Sequence, residues 1–169
     1  METIHGIRTR RSIREFTGKV LEDRVLEEIA ALGFFAPTAH NLQPQEFIVF
    51  KDKKTLEQLG RDLKYAKGLK TSGAGILVMA DTRKQPEPGF YVADTAAAIQ
   101  NILLGIHAMG YGGVWIGVYP VEEYIQVVKE TFGIPGHYMP VGLIALGEPV
   151  TAKEGLDRKD ASRIHWEKF

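Results

Sequence analysis

The apolar residues of this chain fall into two kinds of run, and the difference between them predicts the elements. Ile76-Leu77-Val78-Met79-Ala80 is apolar without a break and follows Gly73-Ala74-Gly75. That is the pattern of a strand buried on both faces. Phe47–Phe50, Val114–Tyr119 after Gly112-Gly113, and Val141–Leu146 closed by Gly147-Glu148-Pro149 predict three further strands. Between them the apolar positions take helical spacing. Val25, Leu26, Ile29 and Leu32 predict an amphipathic helix over Glu22–Phe35, ended at Ala36-Pro37. Surface helices are expected from Lys53 to about Tyr65 and from Val121 to Phe132, the latter stopped by Gly133 and Pro135, with a short opening helix over Thr3–Arg8.

The longest run, Phe90–Met109, is bounded by Pro86-Glu87-Pro88-Gly89 and by Gly110. Its apolar residues cover far more than the roughly 100° stripe of a surface helix, so it is expected to be buried on nearly all sides. Asp94, Gln100, Asn101 and His107 interrupt it, which argues against a membrane span. Ala93, Ala96, Ala97 and Ala98 permit close approach of a second helix, within the core or across a subunit boundary. Helices alternating with about four strands predict a single three-layer α/β or α+β domain over 1–169, with the strand order left open. The tail from Val150 is polar but carries Ile164, Trp166 and Phe169, anchors that suggest docking, a second subunit being one candidate.

Composition narrows the chemistry. The chain has 169 residues, 44% hydrophobic and 25% charged, which is ordinary for a soluble globular protein. Its formal net charge is zero, so an anion site has to come from local clustering. The absence of cysteine excludes disulfides, thiolate metal sites and cysteine nucleophiles. Met1-Glu2-Thr3-Ile4-His5 has no apolar signal region, and the cytoplasm is the expected location. Gly68–Gly73 has the glycine spacing of a phosphate loop, but Ala74-Gly75 stand where lysine and a hydroxyl are needed. No close histidine pair offers a metal site, and Ser12, Ser72 and Ser162 lie in no nucleophile elbow.

What remains is anion binding. Arg10, Arg11, Ser12 and Arg14 place guanidinium forks and a hydroxyl within five residues, a set that matches phosphate oxygens. A solvated basic turn paired with Glu15 or more distant acids accounts for the same residues equally well. Nucleic acid is poorly supported by one basic patch on a neutral chain.

Four separated segments together resemble the FMN-dependent nitroreductase family over nearly the whole chain. They are Arg10-Arg11-Ser12-Ile13-Arg14-Glu15-Phe16, the loop Ala36-Pro37-Thr38-Ala39-His40-Asn41-Leu42-Gln43-Pro44, the stretch Asp94–Leu104 leading to Gly110–Gly117, and the run from Arg158 to His165-Trp166-Glu167-Lys168-Phe169. The resemblance implies an α+β three-layer fold with a central sheet of about four strands, room for a swapped C-terminal strand, and the long helix buried at a homodimer interface. It implies FMN at each subunit boundary, with Arg10, Ser12 and Arg158 on the phosphate and Arg11 on the ribityl chain or phosphate. Arg14 would lie toward the pyrimidine edge, and Ile116-Gly117 would present amides near N5 and O4. Pro37, Thr38, Ala39 and Asn41 would reach the flavin from the other subunit.

The implied activity is hydride transfer from NADH or NADPH through flavin N5 to a nitroaromatic, quinone or similar small-molecule acceptor, by a ping-pong mechanism with no catalytic side chain. Two alternatives stay open. One is the same fold with another redox reaction, as a dehalogenase or metabolite dehydrogenase; the other is a non-redox dimer that binds a phosphorylated ligand. The chain departs from the family pattern at Ala39, at Gln45 after Pro44, and at Leu156. The segment Arg83–Gly89 is also too short for a helical cover over the flavin, and the polar pair for the pyrimidine cannot be placed between Arg61 and Lys70.

Overall fold

The computed structural model describes residues 2–169. Four strands, β1 (Gln45–Phe50), β2 (Ala74–Asp81), β3 (Gly112–Gly117) and β4 (Tyr138–Gly147), form one sheet in the order β1-β2-β4-β3. Every neighbouring pair is antiparallel. Around them lie helices α1 (Thr3–Thr9), α2 (Asp23–Ala31), α3 (Lys53–Asp62), α4 (Pro88–Ala108) and α5 (Glu122–Phe132).

All eight residues of β2 are buried, and the period-two alternation of a strand sends them to two different cores. Leu77 and Met79, with Leu143 and Ala145 of β4, pack on Leu56 and Leu59 of α3 and Ile125 and Val128 of α5. Ile76 and Val78, with Ile144 and Leu146, pack on Leu26 and Ile29 of α2 and Ile99, Ile102 and Ile106 of α4. Each such side chain, fully buried, contributes about 1.5–3 kcal/mol. The three layers are therefore α2 and α4, the sheet, and α3 and α5.

A helical connection usually leads to a parallel neighbour, yet β1 and β2 are antiparallel. After α3 the chain doubles back through a 3₁₀ turn, Lys67–Thr71, so β2 starts where β1 ends, with Phe50 facing Gly75. In contrast α4 crosses from β2 to β3, which run parallel with β4 inserted between them. The α3 helix is capped by Asp52, whose carboxylate accepts from the Thr55 amide at 2.9 Å.

One expectation is corrected, and a single chain leaves two others open. The helix expected over Glu22–Phe35 ends at Ala31 and tightens into a 3₁₀ turn, Leu32–Phe35. There Leu32 presses against Gly105 of α4, where any Cβ would land on its Cδ1. The α4 helix is long and apolar enough to cross a membrane by composition, but within one chain it is buried on one side only. Tyr91, Asp94, Ala98, Ile102 and Ile106 face inward, while Phe90, Ala93 and Ala108 are exposed and Ala97 and Leu104 half-buried. Residues 151–169 are exposed and form no strand within the chain; their one ordered turn is Ala161–Arg163.

Two carboxylates tie the sheet to its loops. Asp81, at the end of β2, accepts from the Arg83 guanidinium at 2.9 and 2.8 Å and from the Arg83 amide at 3.0 Å. The guanidinium contacts outweigh burial and hold this carboxyl at about 2. Asp94, inside α4, accepts the Ala39 amide at 2.9 Å through Oδ1, while its buried Oδ2 has no partner. This pins a loop that needs pinning, because His40, Asn41 and Gln43 all adopt positive φ without being glycine. Such residues cost about 1–3 kcal/mol each and persist only where their surroundings impose them.

Because the Asp81 carboxyl is depressed on folding, its contribution is present above the ordinary carboxylate range and lost as pH falls toward 2. Asp81→Asn is expected to cost about 1 kcal/mol at pH 7, discounted for the solvent-open guanidinium, and almost nothing near pH 2. Urea melts at the two pH values check this. Asp94→Ala should loosen the loop by about 1–2 kcal/mol, raising amide exchange at Ala39 about five- to thirtyfold. Unchanged protection there would remove Asp94 from its anchoring role.

Candidate functional site

The segment after α1 is laid down by two apolar anchors. Ile13 and Phe16 are buried, the Ile13 amide donates to the Gly113 carbonyl at 3.0 Å, and Phe16 bridges Pro149. This clamps residues 12–16 between the start of β3 and the chain leaving β4. Arg10 and Arg11 fall on one side of the clamp and Arg14 on the other.

On the first side, Arg10 and Arg11 line a cavity of about 620 Å³ together with Arg158, carried in from the tail on residues 155–159. Arg10 Nη1 is buried and has no hydrogen-bond partner. Its guanidinium titrates below the usual range because of burial and then of the neighbouring charges of Arg11 and Arg158. Among the described residues none of these three arginines makes an ion pair. Neither these arginines nor Arg14 pairs with Glu15, and the buried, unpartnered Arg10 donor beside two further guanidinium groups suits an anion.

Ser12, expected on the same anion, is half-buried and bridges Gly113 through its backbone, and its carbonyl accepts from Lys153 at 3.5 Å. It lines neither this cavity nor the next. His107, which the sequence did not single out, does stand here: its Nε2 lies 2.9 Å from Thr9 Oγ1. Burial first, then Arg10 and His5, lowers its pKa, so the ring stays neutral and adds no further repulsion at pH 7.

On the second side, Arg14, Ile116 and Gly117 line a cavity of about 1030 Å³. Its opposite wall is the stretch 60–71, with Arg61, Lys64, Lys67 and Lys70. That is where sequence reasoning could place no polar pair; the signal was available as a cation at every third position. Gly117 meets nothing within 4 Å of where a Cβ would stand, so its backbone is open to a flat ring. Gly112 and Gly113 are needed for packing instead: a Cβ on the former meets Ile13, and on the latter Ile106.

Pro37, Thr38, Ala39 and Asn41 line neither cavity. They sit with Asp94 in the first third of α4, whereas Thr9 and the arginines sit with His107 in its last turn. Thirteen residues of helix at about 1.5 Å each separate the two sets by roughly 20 Å within one chain. Near the loop, Gln45 is buried with both amide atoms unpartnered, and Gln85 leaves its Nε2 unpartnered.

These residues fit a phosphorylated, planar ligand: an anion for Arg10, Arg11 and Arg158, and a ring against Gly117. A family model described as the nitroreductase family matches residues 7–66 and 60–148. An Archaeoglobus fulgidus protein provisionally named an NADH dehydrogenase/NAD(P)H nitroreductase is 37% identical, over 99% of each chain. The solved structure of a Clostridium acetobutylicum protein, provisionally named an NADH oxidase, is 37% identical with a TM-score of 0.92, covering 99% of this chain and 100% of that one. A Desulfovibrio desulfuricans nitroreductase, again provisionally named and solved in complex with FMN, is 28% identical with a TM-score of 0.84, covering 100% and 98%. By this similarity and by its antiparallel sheet crossed by a long helix, the chain belongs to the nitroreductase family.

Proposed function

We propose that this chain is an FMN-dependent oxidoreductase that works as a homodimer, taking electrons from NADH or NADPH and passing them to a small aromatic acceptor. The observation that carries the reading is the meeting of Arg10 and Arg11 with Arg158, from opposite ends of the chain, around one cavity where cations outnumber its single acid, Asp157. When bound, FMN supplies the chemistry itself, accepting a hydride from NAD(P)H and later delivering it to the acceptor. The protein supplies position and field. Arg10, Arg11 and Arg158 hold the phosphate by charge-assisted hydrogen bonds. The Ile116 and Gly117 backbone takes one edge of the ring, and Arg14 provides positive charge at the pyrimidine edge. No acid or base is assigned, which matches a site whose charged side chains are nearly all cations.

A second copy completes the site. If two α4 helices pack antiparallel, the loop 37–41 of one chain comes to the arginine end of the other, closing the gap of roughly 20 Å. The stripe Phe90, Ala93, Ala97, Leu104 and Ala108 left open on α4, beside exposed Ile4, Ile7 and Phe35, provides the apolar face. The swapped C-terminal strand has a berth on the open edge of β1. A groove there is floored by Leu26, Ala30, Phe34 and Phe47 and rimmed by Glu27, Glu46 and the ion pair of Asp23 with Lys51. Residues 163–169 suit it, with Arg163 and Lys168 as charges and Ile164, Trp166 and Phe169 as exposed apolar groups.

A visible absorption spectrum before and after anaerobic NADH addition tests the activity: a flavin spectrum that bleaches is expected, and a chain that takes up no FMN overturns the reading. Arg10→Ala and Arg158→Ala should each weaken FMN binding by about 1.5–3 kcal/mol, roughly ten- to a hundredfold in Kd by fluorescence titration. Light scattering should show twice the 18.8 kDa chain, and deletion of residues 161–169 should shift it toward the single chain. A single chain at all concentrations would overturn the dimer.

A further inference from the structure

The wall facing Gly117 has a regularity that flavin binding does not use up. Arg61, Lys64, Lys67 and Lys70 recur at intervals of three, as do Leu63, Ala66 and Leu69. The apolar three are almost wholly buried, so the cations are turned outward. Three residues per turn is the period of the 3₁₀ helix, which Lys67–Thr71 adopts. All four line the cavity with Arg14 as a fifth cation, and Glu15 is its one acid. Arg61 lies 4.0 Å from Glu57; Lys64, Lys67 and Lys70 make no ion pair among the described residues.

The charge balance decides what else the cavity takes. Of five cations, Glu15 and Glu57 offset two, and a bound reduced flavin anion offsets one more. About two positive charges are left over, on a cavity whose volume of about 1030 Å³ exceeds what one ring edge fills. Exposed aromatic surface lies alongside them: Tyr65, 71% accessible, with the Lys64 ammonium 5.3 Å from its ring centre. Aromatic faces beside unpaired ammonium groups recognise a flat ring that bears an acid group.

We propose that the acceptor this cavity favours is an anionic aromatic compound, one carrying a carboxylate or sulfonate, whose charge is met by Lys64, Lys67 and Lys70. The inference rests on the flavin reading above and gives that reading a substrate class. For a quinone the balance is two electrons and two protons: a hydride originating from NAD(P)H, a proton from solvent, and a hydroquinone as product. The lysines take no part in that transfer; they gather and orient the acceptor.

The test follows reoxidation of the FMN-loaded protein, photoreduced without oxygen, by 1,4-naphthoquinone-2-sulfonate and by uncharged 1,4-naphthoquinone. Raising salt from about 10 to about 300 mM should slow the sulfonate about tenfold and the neutral quinone less than about twofold. The double variant Lys64→Gln/Lys70→Gln should flatten the sulfonate response, and its retained flavin is read from the same spectrum. Equal salt responses for the two quinones in the unsubstituted protein, or a sulfonate response that the variant leaves unchanged, overturn the inference. Photoreduction needs no nicotinamide, so the outcomes separate. A colourless protein defeats the flavin reading and this inference together, while a yellow protein indifferent to acceptor charge defeats this inference alone.

Discussion

Burial of β2 and β4 on both faces is the constraint from which the rest of the molecule follows. Two adjacent strands apolar on either side need a helix layer above and another below. The α3 and α5 helices cover one face near their own strands. Covering the other takes a helix long enough to cross from β2 to β3 over the intervening β4, and α4 is that helix. Its length then fixes the distance between the loop 37–41 and the arginine cluster. The loop pinned by Asp94 is held near its start, and the arginine cluster beside His107 is held at its end. Within a single chain the loop and the arginine cluster therefore stay apart.

The charge arrangement shows how a neutral protein makes a strong local field. Formal charges cancel over the chain, yet each cavity is lined by a single acid, Asp157 in one and Glu15 in the other, against several cations. Arg10 bears the cost most visibly, with a buried guanidinium nitrogen that has no partner and two further arginines close by. Folding energy from Ile13 and Phe16, buried on either side of Arg14, holds this repulsive set in place. An anion relieves the repulsion, so affinity comes from strain already paid by the core. The second cavity differs in kind, because its lysines are exposed and screened and act on encounter more than on tight binding.

Glycines illustrate why motif and geometry must be separated. Gly112, Gly113 and Gly117 lie close together in sequence and look alike. Two of them let Ile13 and Ile106 approach the sheet, and one leaves backbone bare toward a cavity. No pattern of residue types could have told them apart, since the difference lies in which neighbour occupies the missing side chain's place.

Read alone, the chain determined a good deal. Unbroken apolar runs such as Ile76–Ala80, and helical spacing between them, gave the strands and helices because burial acts on period, which is local. The clustering of Arg10, Arg11 and Arg14 in sequence made an anion site one of two open readings, and likeness over four segments pointed to the family. What only the tertiary structure decided was everything set by return paths and long-range packing. The 3₁₀ doubling-back after α3 made the sheet antiparallel. Arg158 met Arg10 across almost the full length of the chain, and the Ser12 backbone was bridged to Gly113. The face of α4 left open, and the lysine row set opposite Gly117, depend on which surfaces neighbouring elements happen to cover. A sequence records the residues on a helix but not which side its neighbours will leave bare.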